Sequence, residues 1–153
     1  MKSRAWSGSV GITAISCVSA AIVGGAPAAF ADPSTPSDAL CTMTYPTPDD
    51  FSVRASSEAS AVSDHGSFDL TLRTDSQSQT GYEQKFSVTW ANLDTGRSGQ
   101  SDVTARVQGH DNVLSIPDVK TEPGRIALVL KTFNHGTGQN YTNGECSAEY
   151  VVR

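Results

Sequence analysis

Three histidines, several loop-borne carboxylates and three cysteines are the residues here whose types could do chemistry. His65, His110 and His135 each stand beside Gly or Asp in a segment that reads as a loop. None belongs to a His-Glu-x-x-His or His-x-His pattern, so no local metal signature is present. No Gly-x-Ser-x-Gly elbow occurs, which removes the usual sequence mark of a serine hydrolase. Asp49-Asp50 and Glu145/Glu149 are the carboxylates from which an acid/base pair could be drawn. Glycoside hydrolysis needs two carboxyl groups held across a sugar cleft. Glu145 and Glu149, however, share the strand face opposite Cys146, and a solvated face is the expectation for them.

The segment 134–144 carries the strongest suggestion of recognition. Its Gly, Asn and Tyr content is that of adaptable binding loops. It reads as a long excursion, with Tyr141 the candidate partner anchor and His135 and Asn140 flanking it. Asn140-Tyr141-Thr142 also fits an N-glycosylation acceptor, which matters only in a glycosylating host. Trp90 alternates in register with Phe86 and Val88, so it is expected in the core, not at a ligand.

Positioning begins with the N-terminus. Lys2 and Arg4 precede a weakly apolar stretch over 10–30, and Ala29-Phe30-Ala31 offers small residues at both cleavage-defining positions. That is the pattern of a secretory signal peptide over 1–31, cut before Asp32. Ser16, Ser19, Gly24, Gly25 and Pro27 dilute the apolar run too much for a membrane helix of about 20 residues. Residues 32–39, polar and proline-bearing, read as a flexible leader, and 40–153 as one domain. The whole chain has a formal net charge of −5. Losing Lys2 and Arg4 but no acid takes it to about −7. With no basic cluster, the chain is a poor candidate for nucleic acid or an anionic membrane surface, and no nucleic-acid partner is expected.

Cys17 leaves with the signal, and Cys41 and Cys146 remain. An even pair in an exported chain is expected to be a disulfide, and two thiols alone do not make a structural zinc site.

From Leu40 onward the apolar pattern has a period of two. Cys41/Met43/Tyr45, Phe51/Val53/Ala55, Phe68/Leu70/Leu72, Phe86/Val88/Trp90, Val103/Ala105/Val107, Ile126/Leu128/Leu130 and Cys146/Ala148/Tyr150/Val152 each line one strand face. Residues 113–116 add a short strand. Asp64-His65-Gly66, Asn92 to Gly96 and Glu122-Pro123-Gly124 are turns. The Ser- and Ala-rich stretch 56–66 reads as a loose helical turn, and 74–81 as a polar loop. Ala127, Val129 and Phe133 thicken the second face of their strand, which suggests a central position. Short strands separated by polar turns make an all-β sandwich of about seven or eight strands.

This order, with Trp90 following the second hairpin loop and a Pro-Gly turn leading into an apolar penultimate strand, resembles immunoglobulin-like and fibronectin-type sandwiches. The likeness departs from antibody domains in its cysteines, which fall in the first and last strands. Residues 86–99 (Phe-Ser-Val-Thr-Trp-Ala-Asn-Leu-Asp-Thr-Gly-Arg-Ser-Gly) are also similar to small secreted proteins of mycolic-acid actinobacteria. That group is largely uncharacterised, so the similarity implies an envelope or extracellular location and no particular activity. The immunoglobulin-like order implies that His110, His135, Asp75 and Asp111 share one end of the sandwich, with His65 at the other. Two imidazoles and two carboxylates are weak candidates for a Zn²⁺ or Cu²⁺ site. The functional expectation is a secreted or surface-associated, cofactor-free binding module for an extracellular protein, an envelope glycan or another copy of itself. A small hydrolase using loop carboxylates and His, or an extracellular protease inhibitor, are the alternatives.

Overall fold

The computed structural model describes residues 37–153; the signal peptide read at 1–31 and most of the leader lie outside the described residues. Eight strands and no helix make up the described residues: β1 (Asp38–Pro46), β2 (Arg54–Asp64), β3 (Ser67–Ser76), β4 (Tyr82–Asn92), β5 (Ser98–Val107), β6 (Asn112–Lys120), β7 (Gly124–His135) and β8 (Tyr141–Val152). They form two four-stranded antiparallel sheets, ordered β1-β2-β3-β6 and β5-β4-β7-β8. The expected all-β sandwich is therefore what this sequence builds. β1 begins at Asp38, inside the stretch read as a leader.

The alternation that defines the strands also defines the core. Phe68, Leu70 and Leu72 on β3 face Phe86, Val88 and Trp90 on β4 and Ile126, Leu128 and Leu130 on β7, all buried. Burying such side chains contributes about 1.5–3 kcal/mol each, which is the main drive for closing the two sheets. Trp90 is 8% exposed and lies against Gly99 of β5, where a Cβ would come within 2.9 Å of its ring.

Three expectations are corrected. Residues 54–64 are a strand, not a loose helical turn. Ala55, Ser57, Ala59 and Ala61 point inward and are fully buried. Small and hydroxylic residues carry almost no hydrophobic signal, so cross-strand context decided the element. Residues 74–76 continue β3, with Thr74 and Ser76 buried, so the polar loop starts later than its composition suggests. Phe51 and Val53 belong to the connection before β2, and Phe51 is 61% exposed. β7 is central, between β4 and β8, as its two-sided apolarity suggests. Its second face is only partly covered, and Phe133 is largely exposed.

Cys41 and Cys146 form the expected disulfide, with Cα atoms 6.4 Å apart and 105 positions between them in sequence. It links β1 to β8, the edge strands of opposite sheets, and so closes a seam that no ladder closes. Asp64-His65-Gly66-Ser67 is a two-residue hairpin with φ of 41° at His65 and 85° at Gly66. Both positive angles match the right-handed twist of the strands it joins.

Candidate functional site at one end of the sandwich

The connections 47–53, 77–81, 108–111 and 136–140 gather at one end of the sandwich, and His65 lies at the other. Beneath this loop end the core is polar. Ser57, Thr74, Gln84 and Tyr45 form a closed ring of hydrogen bonds, and all four are buried. Its direction follows from the acceptors. Thr74 Oγ1 donates to the Gln84 Oε1 carbonyl (2.9 Å), so it accepts from Ser57 Oγ (2.7 Å). Ser57 then accepts from Tyr45 OH (2.5 Å), which accepts from Gln84 Nε2 (2.5 Å). Every hydroxyl donates once and accepts once, the arrangement in which neighbouring hydrogen bonds polarise and strengthen one another.

The ring continues across the sheet that carries the loop. Gln84 Nε2 also donates to Asn134 Oδ1 (2.9 Å), and Asn134 Nδ2 donates to Thr142 Oγ1 (3.3 Å). Thr132 Oγ1 accepts from the Gly144 N–H (3.1 Å). Gly144 sits where a Cβ would come 2.6 Å from Tyr45 Cδ1, so only glycine lets β8 pass this point. Nothing in the linear order hinted at this layer, because Thr74, Gln84 and Asn134 read as outward polar positions or turn residues. Tyr82 OH is buried beside it without a hydrogen-bond partner among the described residues, and burial pushes its phenol well above the usual range.

The polar layer has a consequence for the segment expected as a long recognition loop. β7 and β8 stay paired through His135 and Tyr141, so the connection is only 136–140. Asn134 and Thr142, polar enough to read as loop, are ladder partners whose side chains are satisfied inside. The short connection is also clamped. Asp49, from the β1–β2 connection, accepts the Thr137 N–H (2.7 Å) and hydroxyl (2.9 Å). Gly136 packs so closely on that carboxylate that a Cβ would overlap it. The Thr137 N–H and then its hydroxyl hold the Asp49 carboxyl below the usual aspartate value of 3.8. A depressed value means that the clamp is complete at pH above the ordinary aspartate range and is lost as pH falls through the folded value. Amide exchange at Thr137 should therefore stay slow at neutral pH and accelerate only once pH has fallen past the ordinary aspartate value of 3.8 to the lower folded one. Exchange at Thr137 that is no slower in the parent protein than in a folded Asp49→Ala variant at pH 7 would contradict the clamp.

On top of this frame His135 and Tyr141, paired across β7 and β8, stack with ring centroids 4.6 Å apart and planes 8° from parallel. His135 Nε2 lies 3.0 Å from the Gly138 carbonyl, which can only accept, so the bond places a proton on Nε2. Tyr141 remains 63% exposed, and Phe133 is exposed two residues before His135 on the same outer face. Asn140 is exposed, and its carbonyl accepts the Gly136 N–H (3.0 Å). The three residues expected to anchor a partner are thus brought together on one ordered surface.

The weak metal candidates fall into two groups. Asp75 Oδ1, at the end of β3, accepts the Asp111 N–H (3.0 Å) and lies 3.8 Å from His110 Nδ1, both of the β5–β6 turn. His135 belongs instead to the stack with Tyr141. Among the described residues no three His, Cys, Asp or Glu side chains are grouped to hold a metal ion. Asp50 accepts from Ser52 N–H and hydroxyl, which lower its carboxyl pKa. Glu145 pairs with Lys131 (2.8 Å) on the outer face, and Glu149 is exposed there too, as their parity against Cys146 requires.

The chain matches no protein-family model, no curated protein and no solved structure.

Proposed function

We propose that the protein is an exported, disulfide-closed binding module of immunoglobulin-like type. Its partner, an extracellular protein or an envelope glycan, is engaged by the loop end of the sandwich. The observation that carries this reading is the exposed Tyr141–His135 stack. Its orientation is set beforehand by the Gly138 carbonyl, the Asp49 clamp and the buried amide network beneath. A rigid aromatic surface loses little conformational freedom on binding, which is what makes such residues effective anchors.

Three further features support the reading. The chain crosses between sheets at β3–β4, β5–β6 and β6–β7, in keeping with a Greek-key, immunoglobulin-like order. The disulfide and the lack, among the described residues, of any helix able to cross a membrane fit an extracellular location. The loop carboxylates Asp49 and Asp50 are satisfied by neighbouring donors and held low. A general acid needs the opposite shift, so neither carboxylate is set up as one.

Replacing Tyr141 by alanine should weaken capture of the partner from envelope and culture-filtrate fractions by on the order of 30-fold, the size of an aromatic hot spot. Its melting temperature should stay within about 2 °C of the parent protein, because the ring lies outside the core. Unchanged capture by a folded Tyr141→Ala protein would remove this surface as the binding site.

A further inference from the structure

The four edge strands of this sandwich are not alike. β1 carries a register shift between Ala39 and Cys41 and is bridged to β8, so both strands at that seam are occupied by the disulfide. β6 contains Pro117, a register shift opposite Phe68/Leu70, and Asp118 at φ 53°. Such irregularities are how sheets discourage another strand from adding to an edge. β5 has none of them. It runs from Ser98 to Val107 in unbroken register with β4, without proline, and among the described residues pairs with β4 alone. Its inward residues Gly99, Ser101, Val103 and Ala105 stay only half-buried, which leaves one side of the strand incompletely covered.

The solvent face of β5 bears two charges, Asp102 and Arg106, of opposite sign and four residues apart; Asp102 Oδ2 pairs with Lys85 Nζ of β4 (3.3 Å), which leaves its Oδ1 for a second partner. Two copies of β5 laid antiparallel about Thr104 would set Asp102 of each opposite Arg106 of the other, with Val103 opposite Ala105. Sliding the pairing to centre on Val103 or Ala105 places Thr104 opposite a charge, and centring on Asp102 sets like charges together. Odd shifts turn the solvent face of one copy against the core face of the other. One register therefore sets each charge opposite its complement in the other copy, and it is self-complementary under a twofold axis. Arg106 Nη2 donates to the Thr80 carbonyl in the β3–β4 connection (2.6 Å), which leaves Nη1 and Nε of the guanidinium for a carboxylate across the edge.

We propose that two copies of the protein associate through β5 into a twofold dimer with one continuous eight-stranded sheet. The axis runs perpendicular to the sheet, so both Tyr141–His135 surfaces face the same way. At about 4.8 Å between strands and 3.4 Å per residue they lie roughly 35 Å apart, a bivalent arrangement. The pairing rests on the strand edge and does not depend on what the loop end binds.

Sedimentation velocity of the protein with its disulfide intact tests this. A ladder of one strand buries less than a standard interface, so dimer formation is expected with a dissociation constant on the order of 100 µM. Asp102→Arg should weaken it at least about tenfold, because two attractive pairs become two repulsive ones. The exchange Asp102→Arg with Arg106→Asp should restore it, and amide exchange in β5 should slow with concentration only where dimer forms. Both positions are exposed, so circular dichroism should show each variant folded. A single monomeric species up to about 500 µM overturns the proposal. So does a folded Asp102→Arg protein that associates as before, or a charge exchange that does no better than the single variant.

Discussion

Alanine at both Cys41 and Cys146 should lower the free energy of unfolding by about 4–5 kcal/mol. The bridge closes a span of 105 positions, and a chain released from so long a loop regains a large conformational entropy when unfolded. Against the 5–15 kcal/mol typical of a single domain, the loss is close to half. For a domain of this size it corresponds to a fall in melting temperature of roughly 15–20 °C. The bridge also holds an element that ladders alone hold poorly. β1 pairs with β2 only, and its far side meets β8 of the other sheet through the disulfide and side-chain contacts. Exchange should therefore accelerate first in β1, before the β4–β7 pair. Denaturant unfolding of the oxidised protein and the double variant measures the difference. A change below about 1 kcal/mol would mean that the seam is held without the bridge.

Leucine in place of Gln84 should cost a comparable amount, about 3–5 kcal/mol, although the exchange looks favourable for a buried position. Leucine fills much of the same space but removes three hydrogen bonds at once. It leaves Tyr45 OH, Thr74 Oγ1 and Asn134 Oδ1 each short of a partner, away from water. Each such group costs about 1–3 kcal/mol. The ring is a unit, so a double-mutant cycle with Tyr45→Phe should show the two losses to be non-additive. The effect should reach the surface as well. Asn134 orients the end of β7, and His135 follows it in the chain, so the Tyr141–His135 stack should loosen in the variant. A Gln84→Leu protein within about 1 kcal/mol of the parent would show that the polar layer contributes little.

Legibility in the sequence followed the strength of the hydrophobic alternation. β3 through Leu72, β4 and β7 are written in Phe, Leu, Ile, Val and Trp, and those segments are strands with the expected residues on one buried face. β2 is written in Ala and Ser, where the period-two signal is nearly silent, and the same stretch suits a helical turn equally well. The end of β3 and the facing ends of β7 and β8 are written in Thr, Ser, Asn and Gly, which read as loop. They are strands because their inward hydroxyls and amides find one another across the two sheets. That is a long-range coincidence of residues up to 50 positions apart.

The candidate surface divides the same way. The presence of His135, Asn140 and Tyr141 in one segment, the sharing of an end by His110 and His135, and the pairing of Cys41 with Cys146 follow from order and alternation. Two things do not. A five-residue clamped connection in place of a long mobile excursion depends on Asp49, 88 positions from Thr137, arriving at hydrogen-bond distance. The unprotected edge of β5 depends on which strands end up outermost.

The sequence by itself determined the class of the fold, the bridge that closes it and the net acidity of the chain. Those properties reside in local alternation, in a count of cysteines and in a sum of charges, none of which needs to know what packs on what. Only the tertiary structure decided that the core beneath the loop end is polar, that the 136–140 connection is short and clamped by Asp49 and that β5 is the open edge. Buried polar groups and sheet edges are defined by partners brought together from distant parts of the chain, and a partner has no position in the sequence until the sheets have formed.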